Sequence, residues 1–286
     1  MLRRLARGII KPSSATQRRL VDWKNVEFLR GDPQAAAFGG DYHRRITRLP
    51  PVTIAQLATA VPYRHAAELL TLLPDPLAAD TLEAMPAERQ LQVFETLDAD
   101  QALRLLALMA PDTATDLVGR LTPDEAGWFL ERLPPETEGR VLDLLRYPED
   151  TAGGIMTNDV PVVSADMTIG QARHSLREAL REPDFVYYIY AVESPETRRL
   201  DGVLSLRDLI VNDDATRVSD IMQRDILAID PLEPAGKAAR RVCEMHLAAL
   251  PVVGRDRRLL GAVTVDTALA QVAPPAWRDQ TIRIFS

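Results

Sequence analysis

From Ile54 to Leu145, apolar residues recur at helical spacing, as in Ala67, Leu70, Leu73 and Leu77, or Leu103, Leu106, Met109 and Ala110. The runs are broken at Pro62, Pro74, Pro86, Asp98, Pro111, Pro123 and Pro135, always 12 or 13 residues apart. Proline fits the first turn of a helix, where its missing N–H has no partner to lose, and it pushes the preceding residue out of the helical region. The rhythm therefore predicts a chain of short helices. Asp112, Asp124, Glu125 and Glu136 follow their prolines, where a carboxylate meets the positive end of the helix dipole. Helices of about nine residues do not hold alone, so they must stack on their neighbours as solenoid repeats do. Residues 51–147 are read as an all-α superhelix.

After Tyr147 the period changes. Thr151-Ala-Gly-Gly-Ile-Met-Thr157 supplies glycines that let the chain turn, and 148–154 is expected to be a hinge. Strand-like runs follow at Val160–Val163, Val186–Val192, Leu200–Leu206, Ile226–Ile229, Ala249–Val253 and Leu259–Val265, with helical patterns at Ile169–Leu180, Arg207–Ile210, Ala235–Met245 and Asp266–Val272. This α/β part repeats itself. Ile155-Met156 recurs as Ile221-Met222, and the eight residues from Gly202 to Leu209 recur as Gly261 to Ala268. Two halves are expected, 155–214 and 215–273, before a tail at 274–286.

Charge separates the ends of the chain. Residues 1–50 carry a net +7, which leaves −14 for the remainder to reach the total of −7. An acidic body repels nucleic acid and concentrates divalent cations. The basic start is read most simply as a solvated leader; a lipid-facing or RNA-facing tail and an organelle presequence are the alternatives. No apolar run approaches the roughly 18 residues needed to cross a bilayer. The lone Cys243 forms no internal disulfide, which points to a reducing cytoplasm. Cys243 and His246 are three apart on a helical pattern, but no second ligand pair accompanies them, so a buried thiol beside a surface ring is preferred to a metal site. His43, His65 and His174 are dispersed, and neither a nucleophile with a paired base nor a phosphate-cradling glycine loop is present; no enzyme activity is expected.

The repeat that starts at a glycine and ends in Ser205-x-x-Asp208 resembles a tandem pair of CBS domains, a Bateman module. The helical repeats, joined through Tyr147–Thr157 to Tyr187–Val192 and Gly202–Ile210, resemble the cytosolic half of MgtE-type magnesium transporters. That likeness implies a multidomain fold, a helical superhelix followed by an α/β CBS pair, hung beneath a membrane pore that closes when Mg²⁺ is plentiful. This chain shows no pore, so a separate transporter or a missing pore domain is the expected partner. Leu20–Leu29 is similar to the closing strand of a PRC-like barrel, which makes residues 1–50 a possible remnant.

For Mg²⁺, which takes oxygen ligands and keeps several waters, the resemblance implies Asp112 and Asp116, four apart on one helix face. On the CBS side Pro234, His246, Thr267 and Ala270 stand where the family places further acids, leaving Asp266, with Glu233 nearby. Mg²⁺ coupling is thus expected to be weakened. For an adenine nucleotide such as ATP, the resemblance implies Ser205 and Asp208 at the ribose, Arg207 toward phosphate, Tyr188 beside the base, and Leu227, Leu247 and Pro251 as walls. Helix capping is the competing role for Ser205 and Asp208. In the second half Thr267 replaces the ribose aspartate, so one competent site is expected. The leading reading is a non-enzymatic, cytoplasmic Mg²⁺-sensing regulator that forms a CBS homodimer, peripheral to the inner face of the membrane. A constitutive interaction scaffold that only dimerises is the alternative.

Overall fold

The computed structural model describes residues 46–179 and 188–273. The basic leader up to residue 45, the start of the Val186–Val192 run and the tail from 274 lie outside the described residues.

Eight short helices follow the proline rhythm: α1 (Pro51–Thr59), α2 (Tyr63–Thr71), α3 (Asp75–Glu83), α4 (Ala87–Phe94), α5 (Ala99–Leu108), α6 (Pro111–Val118), α7 (Pro123–Leu130) and α8 (Pro135–Leu144). Pro111, Pro123 and Pro135 occupy the first turn as expected. Pro62, Pro74 and Pro86 instead stand one residue earlier, as the cap itself, with φ near −55° and an extended ψ. Asp98 keeps the rhythm by another route, since its carboxylate accepts from the Gln101 N–H and satisfies a donor left open at the helix start. Stacking runs between every second helix, α1 on α3 on α5 and α2 on α4 on α6 on α8. The two rows enclose Ile54, Leu70, Leu82, Phe94, Leu105, Leu106, Leu117 and Val141.

The α/β part contains β1 (Val162–Ser164), α9 (Ile169–Ala179), β2 (Tyr188–Val192), β3 (Leu200–Ser205), α10 (Leu206–Val211) and α11 (Val218–Ile221), then α12 (Ala235–Glu244), β4 (Ala249–Val253), β5 (Leu259–Thr264) and α13 (Val265–Val272). In the first half β1 runs parallel to β2 and β2 antiparallel to β3. The second half repeats β2–β3 as β4–β5, with the register shift at the same place, between Ala191 and Val192 and between Val252 and Val253.

Ile226–Ile229 is not a strand. Only Ile229 bridges to β4, at Val252. The first half explains the loss: there Tyr190 N–H donates to Pro161 O and Ala165 N–H to Val192 O, on either side of the corresponding pair. Pro251 and Pro231 hold those donor positions in the second half, and proline has no N–H to give.

Each half sends its leading segment across to the other. Thr157 bridges Ala262 of β5, and Gln223 bridges Val203 of β3. Ala235 N–H donates to Asp150 O, and Ile169 N–H to Thr216 O. Accordingly Ala152, Ile155 and Met156 lie in the core of the second half, and Val218 and Met222 in that of the first. This exchange accounts for the recurrence of Ile-Met. It also ties down 148–154, because Ala152 N–H donates to Glu233 O and Gly153 N–H to Pro231 O. The end of α8 joins the same core through Leu144 and Tyr147, and Arg140 of α8 pairs with Asp159 at 2.7 Å.

Candidate functional site

Two groups of predicted residues have distinct surroundings. Asp112 lies in the first turn of α6 and Asp116 one turn later on the same face. Asp116 is exposed at the surface, with protein packed close enough on one side to disfavour its charge. That desolvation, opposed by Arg120 and reinforced by Asp112 and Glu149, pushes its carboxyl up to about 6. Glu149 comes from the 148–154 segment, and its Oε1 lies 3.9 Å from where a Cβ on Gly119, at the end of α6, would stand. Sequence reasoning missed Glu149, since nothing in its spacing links it to α6.

Asp266 lies in the first turn of α13 in the second half and is not among the charges that act on Asp116. Glu233 is committed elsewhere: its side chain is 12% exposed and pairs with Arg241 at 3.1 Å. Among the described residues no three His, Cys, Asp or Glu side chains converge as a metal cage. Cys243 is partly buried against the core of the second half, and the exposed His246 ring turns back to the Glu244 carbonyl at 3.0 Å.

Of the second group, Tyr188, Ser205, Arg207 and Asp208 stand where β3 runs into α10, while Leu227, Leu247 and Pro251 lie in the second half. Ser205 and Asp208 form a capping box: Asp208 Oδ2 accepts from Ser205 N–H at 2.8 Å and from its hydroxyl at 2.7 Å, while Asp208 N–H donates to Ser205 Oγ at 3.2 Å. Tyr188 lies directly opposite Ser205 across the β2–β3 ladder. Arg207 is exposed in the first turn of α10, and Leu227 is half exposed just before the Ile229 bridge. Pro251, buried, accepts from Ile229 N–H, and Leu247 packs against the core of the second half. The counterpart box at β5–α13 is neutral, with Thr264 Oγ1 3.1 Å from Thr267 Oγ1. Only the first half offers an acceptor-only carboxylate at this position, the chemistry suited to a pair of hydroxyls.

Known proteins share this arrangement. The profile of the MgtE intracellular N domain matches residues 49–150, and that of the CBS domain matches 152–213 and 218–273. Magnesium transporter MgtE of Thermus thermophilus is 41% identical over 136 residues, which is 48% of this chain and 30% of that protein. Its Enterococcus faecalis namesake is 34% identical over 139 residues, 49% of this chain and 30% of that protein. The matched part thus spans less than a third of these curated relatives. A crystal structure of the cytosolic domain of the Mg²⁺ channel MgtE in complex with ATP superposes with a TM-score of 0.75 at 32% identity, over 82% of this chain and 96% of that one. The soluble part of a magnesium transporter superposes with a TM-score of 0.76 at 26% identity, over 91% and 97%. Among the described residues no helix is long and apolar enough to cross a membrane. With eight stacked helices leading into two interlocked α/β halves, and with that extent of identity, the chain belongs to the MgtE family and resembles the cytosolic part of its members, an intracellular N domain followed by a tandem CBS pair.

Proposed function

We propose that the chain senses Mg²⁺ at the N domain and an adenine nucleotide at the first CBS half, and passes their occupancy to a magnesium transport pore as a change in domain arrangement. The observation that carries this reading is the crowding of Asp112, Asp116 and Glu149 where α6 meets the 148–154 segment, with Asp116 held near 6. Like charges placed together favour any ligand that neutralises them. Asp112 and Asp116 on one helix face and Glu149 on a separate segment do not converge as a cage in this arrangement, but as oxygen donors that a small movement would bring together they suit a hydrated Mg²⁺ whose remaining positions are filled by water. Such an ion supplies positive charge that favours the arrangement bringing the segments together. In that movement 148–154, hydrogen bonded to the second CBS half, and the end of α8, packed on the same core through Leu144 and Tyr147, ride with that half.

The nucleotide reading is supported by Ser205 and Asp208, positioned by their capping box, and by the ATP complex of the similar cytosolic domain. Asp208 Oδ2 is engaged in the cap, and Oδ1 remains to accept from a ribose. A homodimer through the CBS helices is supported by exposed Ile210 on α10 and Leu269 on α13, which stand at matching positions of the two halves, with exposed Val211 beside Ile210.

Calorimetry tests both ligands on the same chain. MgCl₂ is expected to give a saturable heat that Asp116→Ala weakens at least several-fold. ATP without metal is expected to give a heat that Asp208→Ala abolishes. No heat from either ligand would replace this reading with the constitutive scaffold.

A further inference from the structure

Apart from both groups, a cavity of about 590 Å³ opens where the end of α8 faces the β2–β3 and β4–β5 hairpins. Its size lies in the range of roughly 300–1,000 Å³ that holds small organic molecules. Four arginines line it, Arg140, Arg146, Arg198 and Arg258, against two acids, Asp143 and Asp159. In a body that carries −14 overall, this is a local excess of positive charge.

Pairing leaves two of the arginines without an acid. Arg140 is bound to Asp159 at 2.7 Å and Glu136 at 2.8 Å, and Arg146 pairs with Asp143 at 3.3 Å. Arg258 is exposed and has no ion pair among the described residues. Arg198 is the unusual member: its Nε and Nη2 are buried with no hydrogen-bond partner among the described residues. Two guanidinium nitrogens shielded from water, on a side chain that is otherwise partly exposed, are unfavourable unless something supplies the missing acceptor. Burial, then the fields of Arg258 and Arg140, lower its pKa from the ordinary arginine value, and the nearby Asp143 carboxylate opposes them only in part. Its backbone is also held at φ 50°, in the left-handed region, by bonds from Arg198 N–H to Ser194 O and from Leu259 N–H to Arg198 O. That conformation is uncommon outside glycine, and where it persists the surroundings enforce it.

On the same wall, Asn158 Oδ1 is buried without a donor, while its Nδ2 is fixed to Arg140 O at 2.8 Å. Arg198 and Asn158 thus line one space with their unmatched donors and acceptor just beneath its surface, and Val160, Pro161 and Leu260 form its apolar wall.

We propose that this cavity binds a small phosphate-bearing anion, with Arg198 and Arg258 meeting the phosphoryl oxygens and Asn158 meeting a hydroxyl of the same molecule. Guanidinium is suited to phosphate because its planar fork presents several donors in fixed geometry. Entering the site draws the Arg198 fork toward the cavity. Arg198 and Arg258 come from the two hairpins, so a bound anion ties the two CBS halves to each other beside the end of α8.

The test follows thermal unfolding of the full chain, free of Mg²⁺, during titration with ribose 5-phosphate, glycerol 3-phosphate and inorganic phosphate, each matched in ionic strength by NaCl. The expected result is a saturable rise in Tm, with a midpoint about tenfold weaker in Arg198→Gln and in Arg258→Gln. Asp208→Ala should leave it unchanged. A stronger response to the esters identifies a phosphorylated metabolite as occupant, and an equal response identifies free phosphate. The proposal is overturned if no anion exceeds the NaCl control, or if the response depends on Asp208 and survives both arginine changes. Arg258 is exposed, so its variant remains informative even if Arg198→Gln folds poorly. Since none of these measurements uses Mg²⁺ or ATP, their failure is separable from failure of the sensing reading.

Discussion

At Asp116 the raised carboxyl has consequences on two axes. Its folded value of about 6 lies above the roughly 3.9 of an unfolded aspartate, so between these the native chain holds a proton that the unfolded chain has released. Its contribution to stability is therefore complete below about pH 4 and is lost as pH rises through about 6. Asp116→Asn should flatten this part of the Tm-against-pH curve and raise Tm above pH 6, as thermal melts in metal-free buffer will read. The ion and the proton compete for the same oxygens, so the Mg²⁺ midpoint should weaken roughly tenfold from pH 7.5 to pH 5. A midpoint independent of pH would remove Asp116 from the binding set. Asp112 and Asp116 were legible in the sequence as a pair on one helix face. Glu149 was not, because its nearness to α6 depends on how the chain turns after α8, and no local pattern encodes that turn.

At the level of elements, the exchange between the CBS halves explains two glycines whose recurrence the sequence displayed without its reason. A Cβ on Gly261 would stand 2.3 Å from the backbone oxygen of Thr157, whereas one on Gly202 would meet the Met222 side chain at 2.5 Å. Backbone held by the Thr157–Ala262 bridge has little room to retreat, while a thioether can rotate away. Gly261→Ala should therefore destabilise by about 3 kcal/mol and Gly202→Ala by nearer 1 kcal/mol, the two ends of the usual range for overpacking. Urea denaturation will rank them, and the reverse order would contradict the exchange as described. Helices were legible because proline fixes local geometry, and Asp98 stood in the same rhythm because a carboxylate caps what proline caps elsewhere. Ile226–Ile229 was misread because its β-branched residues suit a strand, while the missing donors, Pro231 and Pro251, act through pairing partners that a one-dimensional reading does not supply.

Across the whole molecule, the order of domains followed from the change of period at Tyr147, and the family likeness covers nearly all of a comparable cytosolic domain. The interlocking of that order was hidden. The Arg140–Asp159 pair, the burial of Leu144 and the arginine-lined cavity join residues from distant stretches of sequence, so no spacing announces them. Assembly is the expectation that the surface carries furthest. Ile210, 72% exposed on α10, is expected to lie within the dimer interface, and Ile210→Glu should convert a dimer to a monomer in light scattering after size exclusion. A dimer that survives this change would place the contact on another face.

In the proposed response, Mg²⁺ alters how the N domain sits on the CBS pair. Small-angle X-ray scattering of the intact chain, recorded without divalent ions and with millimolar Mg²⁺ at pH 7.5, addresses it directly. A smaller radius of gyration is expected with Mg²⁺, and no such change in Asp116→Ala. Superimposable curves for the unaltered chain with and without the ion would contradict it.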